Sequence, residues 1–516
     1  MHFIQGSSRS QTHLFPVSLE EAIAEDNEVR IVELFVNSIE VKQFDFTIKQ
    51  TTEGRPAYHP SDLLKLFIYG YLNRIRSSRA LEKECKRNIE LMWLLKSLAP
   101  DHNTISNFRK ENSKAIKEVF RYTVSLAKTF NLIGGKLIAG DSTKLRAQNS
   151  KKNNYNPKKI ERHLAYIEEK LQAYTQALAL ADEDSRETIQ KEIKKQQSRK
   201  AGYEAIGKQI EASTENQVST SDPDSRQLIT RNNITEVAYN VQTTVDAKHG
   251  IPIDYKVTNQ NDSRAMGEML IRAKDILKTE NFTALYDKGY HTDSELKKGK
   301  DLGITLMVAI PAVASSAPDV AYNMANFSYN QQNDTYTCPQ KQEMISNGNW
   351  YVKHHETYPT LTKHYKTNKC LECPVRTACT KNLKGRLIER SEHAPFVEWN
   401  RRNILANPEL YKKRQAIVEH PYGTIKRQWG YSYILTKKGM ERASADVGLI
   451  LICYNLKRLM NLMGSLMKAH LQGLGAPKWR KTALESICFP FLSLYKQNRT
   501  SYTLDMRLNG AANLYF

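Results

Sequence analysis

Two aspartates stand where short apolar runs stop. Leu137-Ile138-Ala139-Gly140-Asp141 and Phe282-Thr283-Ala284-Leu285-Tyr286-Asp287 each read as a buried strand ending on a carboxylate. In an open sheet, ligands gather beyond the carboxyl ends of the strands. An aspartate in that position also caps helices and starts turns. As a pair the two mean more, because carboxylates held close together repel each other and invite a divalent cation, Mg²⁺ first. A third carboxylate is wanted, and Glu419 is the candidate. It lies between Tyr411 and Arg414 on one side and Lys426 and Arg427 on the other. If one helix runs through Pro421, Glu419 and Lys426 share a face and set a metal-side carboxylate in line with a phosphate-side cation. The plain alternative is a surface glutamate among basic residues. Asp246 and Asp262 are further acids in this stretch. Asp246 precedes the turn Lys248-His249-Gly250 and reads as structural.

Cysteines supply a second candidate chemistry. Cys370-x2-Cys373 is half of a zinc-site pattern, with Cys379 after it and Cys338 upstream beside Pro339. Four thiolates of this kind could bind one structural Zn²⁺, with His364 as an alternative ligand. The other reading is reduced, partly buried thiols without metal. Cys85, Cys453 and Cys488 show no spacing and read as core. Trp429, Tyr431 and Tyr433 beside the basic run could stack on a frayed base or belong to the core. The chain has no GxxxxGK loop, which argues against an ATP-driven mechanism.

These residues need elements to hold them. Residues 1–130 read as a helical domain. Pro60-Ser61-Asp62 starts one helix, Arg74, Arg76 and Arg79 follow it, and Thr104 to Lys110 opens another. Short helices with Ser, Thr, Asn and Arg near their starts suit a DNA reader. Residues 131–311 read as the first part of a mixed-sheet core, in the order strand, insert, hairpin, helix, strand, helix, strand. A polar, charge-alternating helical insert spans 147–225. Residues 312–395 form a looser cysteine-rich insertion, 396–487 a second helical part of the core, and 488–516 a tail.

Composition then narrows the partners. The chain has 516 residues, with 76 Lys and Arg against 55 Asp and Glu, a net charge of +21. Between Arg401 and Arg442 the local net is +7. Such an excess calls for a polyanion, nucleic acid before a membrane surface. No apolar run is long enough to span a bilayer. The start lacks the pattern of a secretory signal, and seven cysteines do not make a disulfide scaffold, so a reducing cytoplasm is expected. Asn513-Leu514-Tyr515-Phe516 has the look of a processing-site remnant and is set aside.

Asp141-Ser142-Thr143, Tyr286-Asp287-Lys288-Gly289-Tyr290 and the Glu419 segment together resemble a DDE-class transposase of a bacterial insertion sequence, in particular the insertion-sequence 1182 group. Gly54-Arg55-Pro56-Ala57-Tyr58, Asp222 to Arg226, Tyr239 to Asp246 and Cys373 to Thr380 match as well. The resemblance runs from about residue 15 to 465. It implies an α/β, ribonuclease-H-like mixed-sheet core with a helical N-terminal domain, a helical insert and a cysteine-rich insert. Asp141, Asp287 and Glu419 would be the three acids holding Mg²⁺ or Mn²⁺. Tyr411, Arg414 and Lys426 would be the other signature residues and, with Arg427, the phosphate contacts. Two departures stand out: four residues separate Arg414 from Glu419 where three are usual, and Tyr286 stands where small residues are common. The implied activity is two-metal cleavage of transposon-end phosphodiesters, then joining of the freed 3′-hydroxyl to target DNA. The implied partners are duplex DNA with terminal inverted repeats and a second copy of the chain, in a bacterial nucleoid. The rival readings are a ribonuclease-H-like nuclease without strand transfer and a non-catalytic DNA-binding derivative.

Overall fold

The computed structural model describes residues 18–47, 56–213, 215–230, 234–311, 317–354, 359–435 and 438–475. Gly54, Arg55, Cys488 and the 488–516 tail lie outside them.

Six helices open the described chain: α1 (Glu28–Asn37), α2 (Pro60–Leu72), α3 (Ser78–Cys85), α4 (Ile89–Leu94), α5 (His102–Glu111) and α6 (Ser113–Thr129). Pro60 sits in the first turn of α2, where a missing N–H costs nothing. Helix α5 starts two residues before the expected Thr104. Asp101 caps it by accepting the amides of Asn103 and Thr104 at 2.9 and 3.1 Å.

The sheet is built on β1 (Leu137–Arg146), which runs five residues past the expected end at Asp141. After Asp141 burial alternates along mostly polar residues, Thr143 and Leu145 being buried and Ser142, Lys144 and Arg146 less so, so the apolar run marks only the first half of the strand. The insert follows. The two-residue strands β2 (Asn154–Tyr155) and β3 (Val218–Ser219) pair at its base, and α7 (Pro157–Leu180) and α8 (Glu183–Glu211) form its hairpin. Its small apolar cluster of Ile160, Ile210 and Val218 is separate from the main core. Next come β4 (Arg226–Ile229), β5 (Thr235–Asp246), β6 (Ile251–Thr258), α9 (Met266–Leu277), β7 (Thr283–Tyr286), α10 (Asp293–Asp301) and β8 (Thr305–Val308). Strand β5 pairs antiparallel with β1, β4 and β6, while β7 pairs parallel with β1 and β8 parallel with β7. The result is a mixed α/β fold whose central strand carries Asp141.

Residues 312–395 are more regular than expected. They contain a five-stranded antiparallel sheet of β9 (Ser328–Asn330), β10 (Thr335–Thr337), β11 (Glu343–His354), β12 (Pro359–Lys366) and β13 (Ile388–Ser391), with the one-turn helix α11 (Arg376–Cys379). Most residues of β11 are exposed, and such strands lack the apolar alternation that would announce them. The described residues close with α12 (Ala394–Ala406), α13 (Pro408–Tyr422), a π-helical turn at Gly423–Gln428, α14 (Met440–Met463) and α15 (Ser465–Gly475).

One continuous apolar core joins the N-terminal helices, one face of the six-stranded sheet and α14. Two arginines from the helical region pin this junction instead of meeting solvent. Arg76 donates to the fully buried Asp446 of α14 at 2.6 Å, and Arg109 lies 3.6 Å from the same carboxylate. Tyr71 also donates to Asp446. Arg76 is therefore not the groove-facing residue that its place after α2 suggested.

Candidate active site

Pleating sorts the residues around Asp141 onto two faces. Asp141 and Thr143 point with Ala139 toward α13, whose Ile417 and Val418 pack on Ala139, Val245, Leu285 and Met307. Ser142 and Lys144 point to the other face. There the ring of Tyr286 lies over Gly140, and only a glycine leaves room for it.

Helix α13 crosses the sheet so that one row of side chains meets the strand ends. Tyr411 donates to the carbonyl of Tyr286 at 3.1 Å, one residue before Asp287. Arg414 reaches Asp141 Oδ2 at 3.3 Å. The Tyr422 hydroxyl lies 3.2 Å from the Asp141 carbonyl and 2.6 Å from Thr243 Oγ1. Lys426 donates to Thr143 Oγ1 at 2.9 Å and to the Lys144 carbonyl at 3.3 Å. Tyr411, Arg414 and Lys426 thus all touch the strands that carry the two aspartates. Arg427 is exposed.

Glu419 behaves differently. It is exposed, and its Oε1 accepts from Gln415 Nε2 at 2.9 Å. The helix does pass through Pro421, but it then widens into the π turn. Proline has no N–H to give the carbonyl four residues back, and a π turn shifts the phase of every later side chain. Lys426 therefore meets β1 while Glu419 faces outward, and the two do not share the working face that a spacing of seven implies.

Asp262 stands nearer to Asp141 in the electrostatic sense. It accepts from Lys144 at 3.0 Å, Asn240 at 2.7 Å and Gln242 at 2.8 Å. Gln242 in turn accepts from Tyr290 at 2.5 Å, and Gly289 of the same turn lies against Asp262. This network ties the turn after Asp287 to the far side of β1. Burial pushes the Asp141 carboxyl up. The Ser142 amide and Arg414 pull it down, and the charges of Asp287 and Asp262 raise it again, leaving it above the ordinary carboxylate range. Asp262 is also raised by burial, but Lys144 and its amide donors outweigh that and hold it low. Asp287 is half-buried and accepts the Lys288 amide at 2.5 Å. Asp246 is structural, as its position suggested: its oxygens accept the amides of Gly134, Gly135 and Lys248. Lys144 carries no motif spacing and Gln242 appears only within the matching Tyr239 to Asp246 stretch, so neither was singled out from the sequence.

Cys338, Cys370, Cys373 and Cys379 line one small cavity with Phe327 and Met344. The Gln342 amide points at Cys338 Sγ at 3.4 Å. Burial raises the Cys379 thiol, Arg386 lowers it, and the other three cysteines raise it further. His364 stands apart, stacked on Tyr351 at 4.4 Å. Among the described residues, no three His, Cys, Asp or Glu side chains gather closely enough to hold a metal ion as they stand. Cys85 and Cys453 are buried and free. Tyr431 is core, 3% exposed, with its hydroxyl on the Tyr71 carbonyl.

Comparison with known proteins finds likeness in two segments. A family described as "Transposase domain (DUF772)" matches residues 17–111, and one described as "Transposase DDE domain" matches residues 337–460. Over these two segments the chain is similar to transposase domains of the DDE class. The first match covers α1 to α5, and the second runs from the end of β10 through α13 into α14. A solved structure of the piggyBac transposase synaptic complex with hairpin DNA shares 10% identity and a TM-score of 0.29, over 90% of this chain and 84% of that one. No curated relative matches the chain.

Proposed function

We propose that the protein is a DNA transposase that cuts phosphodiesters at transposon ends and joins the freed 3′-hydroxyl to target DNA. The observation that carries this reading is the seating of α13. It brings Arg414 and Lys426 onto the strand bearing Asp141, beside the strand that leads into Asp287. The sheet order, with a long antiparallel meander on one side of β1 and two parallel strands on the other, suits a ribonuclease-H-like core.

The acids fit a divalent cation in one respect. Asp141 is pressed by two neighbouring negative charges and only partly relieved by Arg414, the condition in which a cation is welcome. Asp141 and Asp287 would hold Mg²⁺ or Mn²⁺, and Glu419 would join them on leaving Gln415. When bound, such ions supply Lewis acidity and a water of lowered pKa. The chain's own cations do the rest: Arg414 and Lys426 hold oxygens of the scissile phosphate and balance the charge that develops there. Tyr411 and Tyr422 keep α13 in register with the strand ends. Paired ends call for two such sites, hence a dimer on DNA carrying terminal inverted repeats.

Two rivals remain. The outward Glu419 favours DNA binding without catalysis, and a nuclease that does not join strands would share the same acids. Incubating the purified chain with the inverted-repeat ends that flank its gene, with Mg²⁺ or Mn²⁺, separates the three. We expect end cleavage and strand transfer, both lost in Asp141→Ala, Asp287→Ala and Glu419→Ala while end binding persists. Cleavage by Asp287→Ala would sink the site, cutting without joining would favour the nuclease, and binding alone the derivative.

For the cysteines we propose one structural Zn²⁺: four thiols line one cavity and would draw closer than they stand to share the ion. The purified chain should then carry about one zinc, and Cys370→Ser with Cys373→Ser should remove it. Absence of zinc from protein purified without chelator would overturn this.

A further inference from the structure

A second concave surface lies at the other end of β1. It is lined by Leu137 and Lys136 at the strand's start, Lys248 and His249 in the β5–β6 turn, Lys413 and His420 on α13, and Arg458 on α14. We propose that this groove binds the sugar–phosphate backbone of duplex DNA on the side of the cleavage site away from Lys426. The proposal rests on the transposase reading above.

The charge balance carries the argument. Lys136, Lys248, Lys413 and Arg458 make no ion pair with any described carboxylate. The one acid in the lining, Asp246, has its oxygens engaged by the amides of Gly134, Gly135 and Lys248 at 2.9, 2.8 and 3.0 Å, so it stays where it is. Arg458 is oriented by donating to the His249 carbonyl at 2.7 Å, and its Nε is buried without a partner. The lining thus sets four cations, one of them, Lys248, already donating to the Asn131 carbonyl, against the single carboxylate of Asp246, and an anion that enters relieves the excess.

The arrangement also says which anion. A single phosphate ion needs converging donors, such as a nest of free amides. Here the amides that could form one are already held by Asp246. The remaining charges are spread over β1, the turn, α13 and α14, which suits a polymer with repeating phosphates. Position agrees. Leu137 stands four residues before Asp141, about 13 Å along the strand, or roughly four nucleotide steps of axial rise. Helix α13 and the π turn after it border both places, with Arg414 and Lys426 toward the acids and Lys413 toward the groove. A duplex lying along α13 would pass from one to the other.

The test uses the full chain and a random-sequence duplex of about 40 base pairs, with affinity measured against salt concentration. Lys136→Gln with Lys413→Gln removes two exposed groove charges. Lys194→Gln with Lys208→Gln, both exposed on α8, removes the same charge elsewhere. Each lost phosphate contact lowers the slope of log affinity against log salt by about 0.9, so the groove pair should flatten it by about 1.8. The control pair should leave the slope nearly unchanged. Equal slopes for the two pairs overturn the groove and leave the transposase reading standing. A wild-type chain that does not bind duplex at low salt overturns both. Unchanged melting temperatures check that neither pair unfolds the chain.

Discussion

Asp141 pays in stability for its place. Its carboxyl is held above the ordinary range, first by burial and then by Asp287 and Asp262 against the pull of the Ser142 amide and Arg414. A folded-state pKa above the unfolded value near 3.9 makes the ionised form a liability to the fold above that pH, and the liability fades as the group protonates. Asp141→Asn should therefore abolish cleavage yet melt no lower than wild type at pH 7. The difference in melting temperature should shrink toward pH 4, and thermal scans across that range check it. A large loss of stability would mean that Asp141 holds the sheet together. Gly140 offers the opposite case. A Cβ there would run into the ring of Tyr286, itself 1% exposed. Gly140→Ala should cost about 1–3 kcal/mol or more in urea unfolding, and pairing it with Tyr286→Leu should recover part of that.

At the scale of elements, the junction between the N-terminal helices and α14 turns on one carboxylate. Burial raises Asp446, but Arg76 and Arg109 outweigh it, with help from Tyr71 and the Leu435 amide, and hold it low. A depressed folded pKa gives stability that is present above the unfolded value near 3.9 and lost as pH falls below it. Asp446→Ala leaves two buried guanidinium groups without their counter-charge and should cost about 3–5 kcal/mol. Denaturant midpoints at pH 7 measure this, and the gap to wild type should narrow in acid. The same junction fastens the helical segment to the core, with its arginines Arg76 and Arg109 buried there.

At the scale of the molecule, the α7–α8 hairpin stands out from the rest. It joins the sheet through the short β2–β3 pair and has its own small cluster around Ile160 and Ile210. Replacing residues 157–211 by a short Gly/Ser link should leave the core folded, with the melting temperature within about 3 °C of wild type. Loss of cooperative unfolding would show that the hairpin is part of the core. The net charge of +21 acquires a geography as well, with Lys136 at the start of β1, Lys413 on α13 and Arg458 on α14 around one concavity.

Much of this was legible in the sequence. Asp141 and Asp287 follow apolar runs whose β periodicity is a local property, so their places at the sheet were readable. The helical N-terminal segment, the paired insert helices and the β5–β6 hairpin follow from composition and turn residues in the same way. Other features depend on neighbours far along the chain. Whether Lys426 shares a face with Glu419 depends on Pro421 and the π turn between them. Whether Arg76 meets solvent depends on Asp446, 370 residues later. The 328–391 sheet is held by pairing between half-exposed strands that carry little pattern of their own. Residue type and short-range periodicity set which groups exist and which element bears them. Only tertiary packing decided which face each turns, because helix phase and long-range charge pairing are properties of the folded whole.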